Sequence, residues 1–92
     1  MNLYITNANN YFNLKGSFSK DNLDVFWNEF QFIFERNDRV TINIERLTHI
    51  DKSGINALVK LHNESLTKEK SLSIIGMGNP KVYTRFKNEE AA

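Results

Sequence analysis

The stretch that most constrains this chain covers residues 40–54, VTINIERLTHIDKSG, and passes directly into INALVKLHNESL. Val40, Ile42 and Ile44 alternate with Thr41 and Asn43, the period-two pattern of a strand with one buried face. After Gly54 the spacing turns helical, and Ile55, Leu58, Val59, His62 and Leu66 fall on the face turned inward. A buried strand, a short turn and a helix over residues 53–68 are therefore expected, with Asp51-Lys52-Ser53-Gly54 at the junction. The first turn of a helix leaves backbone N–H groups without intrahelical partners. The junction thus aims N–H groups, the Ser53 hydroxyl and the Lys52 ammonium at one place. A parallel strand covered on both sides reads as apolar throughout. Polar Thr41 and Asn43 therefore place the helices mainly on one face of the sheet.

The rest of the chain supplies partners for that unit. Residues 3–6 and 11–15 are short β-type runs joined by Asn7-Ala8-Asn9-Asn10, which predicts a hairpin. Gly16-Ser17-Phe18-Ser19 is expected to end the second strand, with Ser19 as N-cap of the next helix. Leu23, Phe26, Trp27, Phe30, Ile33 and Phe34 then form one continuous helical stripe. Val25 and Phe32 project away from it. They read either as scattered surface apolars or as a secondary interface. Residues 72–75 predict a further buried strand. Asn79 as N-cap and Pro80 at the first helical position predict a last helix to about residue 86. Residues 87–92 are expected to fray. The order β-β-α-β-α-β-α predicts one α/β domain over residues 1–92. Its four-stranded mixed sheet has three parallel strands, linked by right-handed crossovers, plus an N-terminal antiparallel hairpin strand.

Composition narrows the function classes. A chain of 92 residues is one domain, and its seven Phe can fill a single modest core. It has no cysteine, which removes disulfides, thiolate metal ligands and a cysteine nucleophile. Twelve Lys and Arg against eleven Asp and Glu leave a net charge of +1, a poor footprint for nucleic acid. No apolar run approaches the ~20 residues needed to span a bilayer, so no direct membrane insertion is expected. The polar N-terminus does not read as a secretory signal, and a cytoplasmic location is expected. Asp51-Lys52-Ser53-Gly54 is not a nucleophile elbow, and Gly76-Met77-Gly78 lacks the remainder of a dinucleotide fingerprint. There is no two-histidine metal spacing, and His49 with Asp51 lacks a second convergent group. A non-enzyme without catalytic residues, metal or cofactor is expected.

The order Ile42-Asn43-Ile44, Leu47, Ile50-Asp51, Ser53-Gly54, Leu58 and Leu61-His62 resembles the signature segment of STAS domains, the sulfate-transporter and anti-sigma-factor-antagonist family. The likeness covers about residues 40–76. It implies a STAS-like fold and a non-catalytic regulatory module that binds a protein. The partners implied are kinase-like anti-sigma factors or the permease subunits of membrane transporters. The contact surface would be Asp51, Lys52, Ser53, Gly54 and Asn56, with the outer surface of the following helix. In the antagonists, the residue after the Asp is the hydroxyl that a partner kinase phosphorylates. Here it is Lys52, which neither accepts that phosphate nor mimics it. The resemblance thus implies a module without the standard phospho-switch, leaving Ser53 as the neighbouring hydroxyl open to modification.

Two readings of Lys52 stand side by side. It either points to solvent beside Asp51, or joins Ser53 and the helix N-terminus in an anion-receptive spot. The second leads to an alternative function, a sensor of a phosphate or nucleotide ligand. A structural homodimer using Val25 and Phe32, or the polar sheet edge, is a third. His62, on the inward stripe, is expected to be a partly buried core histidine.

Overall fold

The computed structural model of the chain describes residues 2–76. The expected helix after Pro80, its Asn79 cap and the tail at 87–92 lie outside the described residues. Four strands form one sheet in the order β1-β2-β3-β4: β1 (Leu3–Ala8), β2 (Tyr11–Phe18), β3 (Arg39–Ile50) and β4 (Ser71–Ile75). Strands β1 and β2 pair antiparallel, while β2 with β3 and β3 with β4 pair parallel. This is the mixed α/β sheet that the element order implies. Only Asn9 and Asn10 separate the hairpin strands, and Asn9 takes φ 56°. Asparagine tolerates that left-handed conformation better than most side chains.

Helices α1 (Leu23–Phe30), α2 (Ile33–Arg36) and α3 (Lys52–Thr67) connect the parallel strands. Phe12, Leu14, Val40, Ile42, Ile44 and Leu72 supply the buried face of the sheet, and Phe26, Phe30, Ile55, Leu58 and Leu61 supply the facing helical residues. A chain of phenylalanines joins the layers. Phe18 stacks on Phe26 with centroids 4.8 Å apart, Phe26 lies 4.7 Å from Phe30, and Phe30 lies 4.9 Å from Phe12. Aromatic pairs at this separation contribute about 0.5–1.5 kcal/mol each beyond the area they bury.

Four local expectations are corrected. The helical stripe is not one helix. It breaks at Gln31–Phe32, where Phe32 has φ −123° and ψ 25° and α2 restarts. The run Phe30-Gln31-Phe32-Ile33-Phe34 is rich in aromatic and β-branched residues, which lose rotamer freedom in a helix. Ile33 and Phe34 remain buried beyond the break, as the stripe implies. Second, β2 does not end before Gly16 but continues to Phe18, with an irregularity at Gly16–Ser17. Gly16 sits at φ 98°, and a Cβ there would strike the Asn2 carbonyl oxygen, so only glycine fits. Third, no turn follows Ile44. Strand β3 runs on to Ile50, with buried Ile44, Leu47 and Ile50 three residues apart. Two register shifts against β2 produce that spacing, as extra residues in a bulged strand do. Fourth, α3 is rotated from its expected setting. Leu61, Ala57 and Ser65 are buried, whereas His62 and Leu66 are exposed. Histidine 62 is therefore not a core residue.

Candidate functional site

The end of β3 and the start of α3 are tied together by one side chain. Asp51 has extended backbone angles, φ −104° and ψ −177°, and caps α3. Its Oδ1 accepts from the Gly54 N–H at 2.9 Å, satisfying a donor that the helix start would otherwise leave orphaned. Its Oδ2 accepts from the Lys20 N–H at 3.1 Å, in the short 3-10 turn before α1. The Asp51 N–H itself donates to the Phe18 carbonyl at 3.1 Å. A single carboxylate therefore fixes α3, β3 and the entry to α1 relative to one another. Ser19 occupies the N-cap of that 3-10 turn but makes no side-chain capping bond. The second link to Asp51 has no signal in the sequence, because Lys20 and Asp51 are 31 residues apart.

Gly54 acts in the same direction. A Cβ on it would lie 2.6 Å from the Phe18 carbonyl oxygen and 2.9 Å from Ile50 Cγ1. The first turn of α3 is thus seated directly on the ends of β2 and β3. Of the five residues expected at the contact surface, Asp51 and Gly54 are engaged by the fold. The other three face outward. Lys52 and Asn56 are exposed and Ser53 is half-buried. None of their side chains makes a hydrogen bond or ion pair with a described residue.

Ser53 and Asn56 also line a shallow depression between α1 and α3, with Leu23, Trp27, Ala57 and Lys60. A second depression adjoins it along the same seam, lined by Trp27, Gln31, Lys60 and Glu64. Their volumes are about 240 and 330 Å³. Trp27 stands at the centre of the combined groove. Its ring meets Phe26 edge-on at 4.9 Å, and the Lys60 ammonium lies 5.8 Å from its centroid. Such a cation–π contact at an exposed position is worth about 0.5–1 kcal/mol. It also holds the lysine chain across the groove. At the far end, Glu64 Oε2 is enclosed without a hydrogen bond among the described residues. The Lys68 Nζ lies 3.7 Å from it.

Helical spacing alone puts Trp27 on the core stripe and gives no signal for Lys60, Gln31 or Glu64. The periodicity of each helix is legible in the chain. The juxtaposition of α1 and α3 depends on the parallel pairing of the strands between them. Val25 and Phe32 are exposed at 38% and 56%, so both do project away from the core. Val25 lies within α1, whereas Phe32 lies in the break between α1 and α2. Among the described residues, no cluster of His, Asp and Glu could hold a metal, and no helix is long and apolar enough to cross a membrane.

Comparison with known proteins adds the fold alone. No protein-family model matches the chain, and no curated protein matches it. Among solved structures, it is similar to one described as "Crystal Structure Analysis of Mglu", with a TM-score of 0.57 and 10% sequence identity. That similarity covers 77% of this chain and 18% of the other, so the match is to a small part of a much longer protein.

Proposed function

We propose that this chain is a non-catalytic regulatory module of the STAS type that binds a protein partner through the N-terminus of α3 and the adjoining α1–α3 groove. The observation that carries this reading is the division of labour at residues 51–56. Asp51 and Gly54 are consumed in positioning the helix, while Lys52, Ser53 and Asn56 present uncommitted polar groups beside the groove. Trp27 gives that surface the half-exposed aromatic anchor common in binding hot spots. The partner fitting this chemistry presents carboxylates to Lys52 and an apolar side chain to Trp27. By family resemblance it is a kinase-like anti-sigma factor or a transporter permease subunit. With lysine in place of the acceptor hydroxyl, binding is not released by phosphorylation at position 52. It is set instead by the amounts of the two proteins.

The test is a tagged pull-down from cells that make the protein, with Lys52→Glu as control bait. Recovery of one such partner by the unaltered chain, and its loss with the variant, is the expected result. Equal recovery by both baits would remove Lys52 from the contact. Exposed Val25 and Phe32 favour a second reading, self-association. A concentration-dependent mass in light scattering, abolished by Phe32→Ser, would support it.

A further inference from the structure

The face of the sheet opposite the helices carries a second site, made entirely of groups that donate to anions. Lys15 on β2 and Arg46 on β3 are direct cross-strand partners. Tyr4 on β1 is the partner of Lys15 on its other side, and Thr6 is the partner of Asn13. These five residues line a shallow depression of about 330 Å³, at the lower end of the size range of small-ligand sites, about 300–1,000 Å³.

Like charges directly opposite one another weaken a sheet, and among the described residues no acid pairs with either of these two. Neither Lys15 nor Arg46 makes an ion pair or side-chain hydrogen bond with a described residue, and no carboxylate lines the depression. Glu45, the nearest acid along the chain, belongs to the bulge. Its backbone nitrogen and Cβ lie against Gly76 at the end of β4, on the far side of β3 from Lys15. Both exposed cations border the same depression, so an anion entering it meets two positive charges at once. A planar guanidinium beside a point-charge ammonium suits a phosphate group. Beside them Tyr4 is 56% exposed, and its hydroxyl accepts from the Asn2 amide at 3.1 Å. That contact leaves the ring available for stacking.

We propose that this face binds a mononucleotide, its phosphate between Lys15 and Arg46 and its base against Tyr4. The site is independent of the α1–α3 groove, which lies on the opposite side of the sheet. Bases stack on aromatic side chains with little dependence on sequence, so the aromatic contact selects for a nucleotide over a bare phosphate without choosing the base.

The experiment is an amide NMR titration of the full chain with adenosine monophosphate, adenosine and inorganic phosphate in parallel. Saturable shifts at residues 4, 6, 13, 15 and 46 at millimolar nucleotide are expected, weakening as salt is raised. The double variant K15Q/R46Q should loosen binding by about tenfold or more, and Tyr4→Ser should weaken the nucleotide while leaving phosphate unchanged. These residues are at the surface, and an unchanged spectrum elsewhere shows that the variants are folded. No saturable shift, or shifts confined to residues 52–56, would overturn the proposal. Phosphate binding as tightly as the nucleotide would overturn the role of Tyr4. A single-stranded oligonucleotide whose affinity climbs with length would overturn the mononucleotide in favour of nucleic acid.

Discussion

Replacing Gly54 by alanine sets two effects of opposite sign against each other. The gain is conformational: alanine is better than glycine in a helix by at most about 1 kcal/mol, and less in the first turn than in the interior. Gly54 has no positive φ, so the backbone itself would accept the change. The loss is steric. The new methyl would sit 2.6 Å from the Phe18 carbonyl oxygen, 2.9 Å from Ile50 Cγ1 and 3.1 Å from Phe18 Cγ. The nearest obstacle is backbone within the β2–β3 ladder, which cannot swing aside as a flexible side-chain tip would. Ile50 and Phe18 are themselves packed in the core. Overpacking of this kind costs about 1–3 kcal/mol, and a rigid carbonyl places this case in the upper half of that range. The net expectation is a destabilisation of about 1–2 kcal/mol. For a domain of this size, each kcal/mol lowers the melting temperature by about 4–8 °C. Urea and thermal unfolding followed by circular dichroism would measure it. Hydrogen exchange adds a local readout, because lifting the helix start lengthens the bond from the residue 54 N–H to Asp51 and speeds exchange of that amide. A G54A protein as stable as the parent, with an equally protected amide, would refute the close seating of α3 on β2.

Three further predictions are read by urea unfolding or by NMR titration. Asp51→Ala removes the acceptor for both the Gly54 and Lys20 N–H groups and should cost about 1–2 kcal/mol in urea unfolding, the upper part of the range for a lost cap; Asp51→Asn, which keeps one acceptor, should cost less. The Lys70 ammonium, 2.6 Å from Asp38 Oδ1, holds that carboxyl below its ordinary value, first by the hydrogen bond and then by charge. Because the folded value lies below the unfolded one, the pair's contribution is present above about pH 4 and fades as pH falls through the folded value; in an NMR titration, Lys70→Met should raise the Asp38 value toward that of an unpaired carboxylate. Leu61→Ala, in the core, should cost about 2–5 kcal/mol in urea unfolding, whereas Leu66→Ser, at a residue 62% exposed, should change stability by less than about 0.5 kcal/mol.

What the order of residues specifies unaided is local and periodic. The alternation of Val40, Ile42 and Ile44 with Thr41 and Asn43 specified a strand with one buried face, and the helices lie on that face. The change from period two to helical spacing placed the helix start at the Asp51–Gly54 junction, and the structure makes Asp51 its cap, the carboxylate accepting from the N–H three residues ahead. Where inward residues came three apart, at Ile44, Leu47 and Ile50, the pattern was ambiguous between a turn and a bulged strand. Pairing with β2 decided it, since a bulge exists only relative to a partner strand. The rotation of α3 was likewise decided outside the helix. Leu61 and Leu66 are both apolar and both compatible with an inward stripe, and the shape of the sheet beneath selected Leu61. The surfaces proposed for function depend on tertiary structure most of all. Trp27 with Lys60, and Lys15 with Arg46, are each joined by strand order and register rather than by nearness in the chain. A periodicity tells which side of an element turns inward, whereas the neighbours it acquires there depend on how every other element packs.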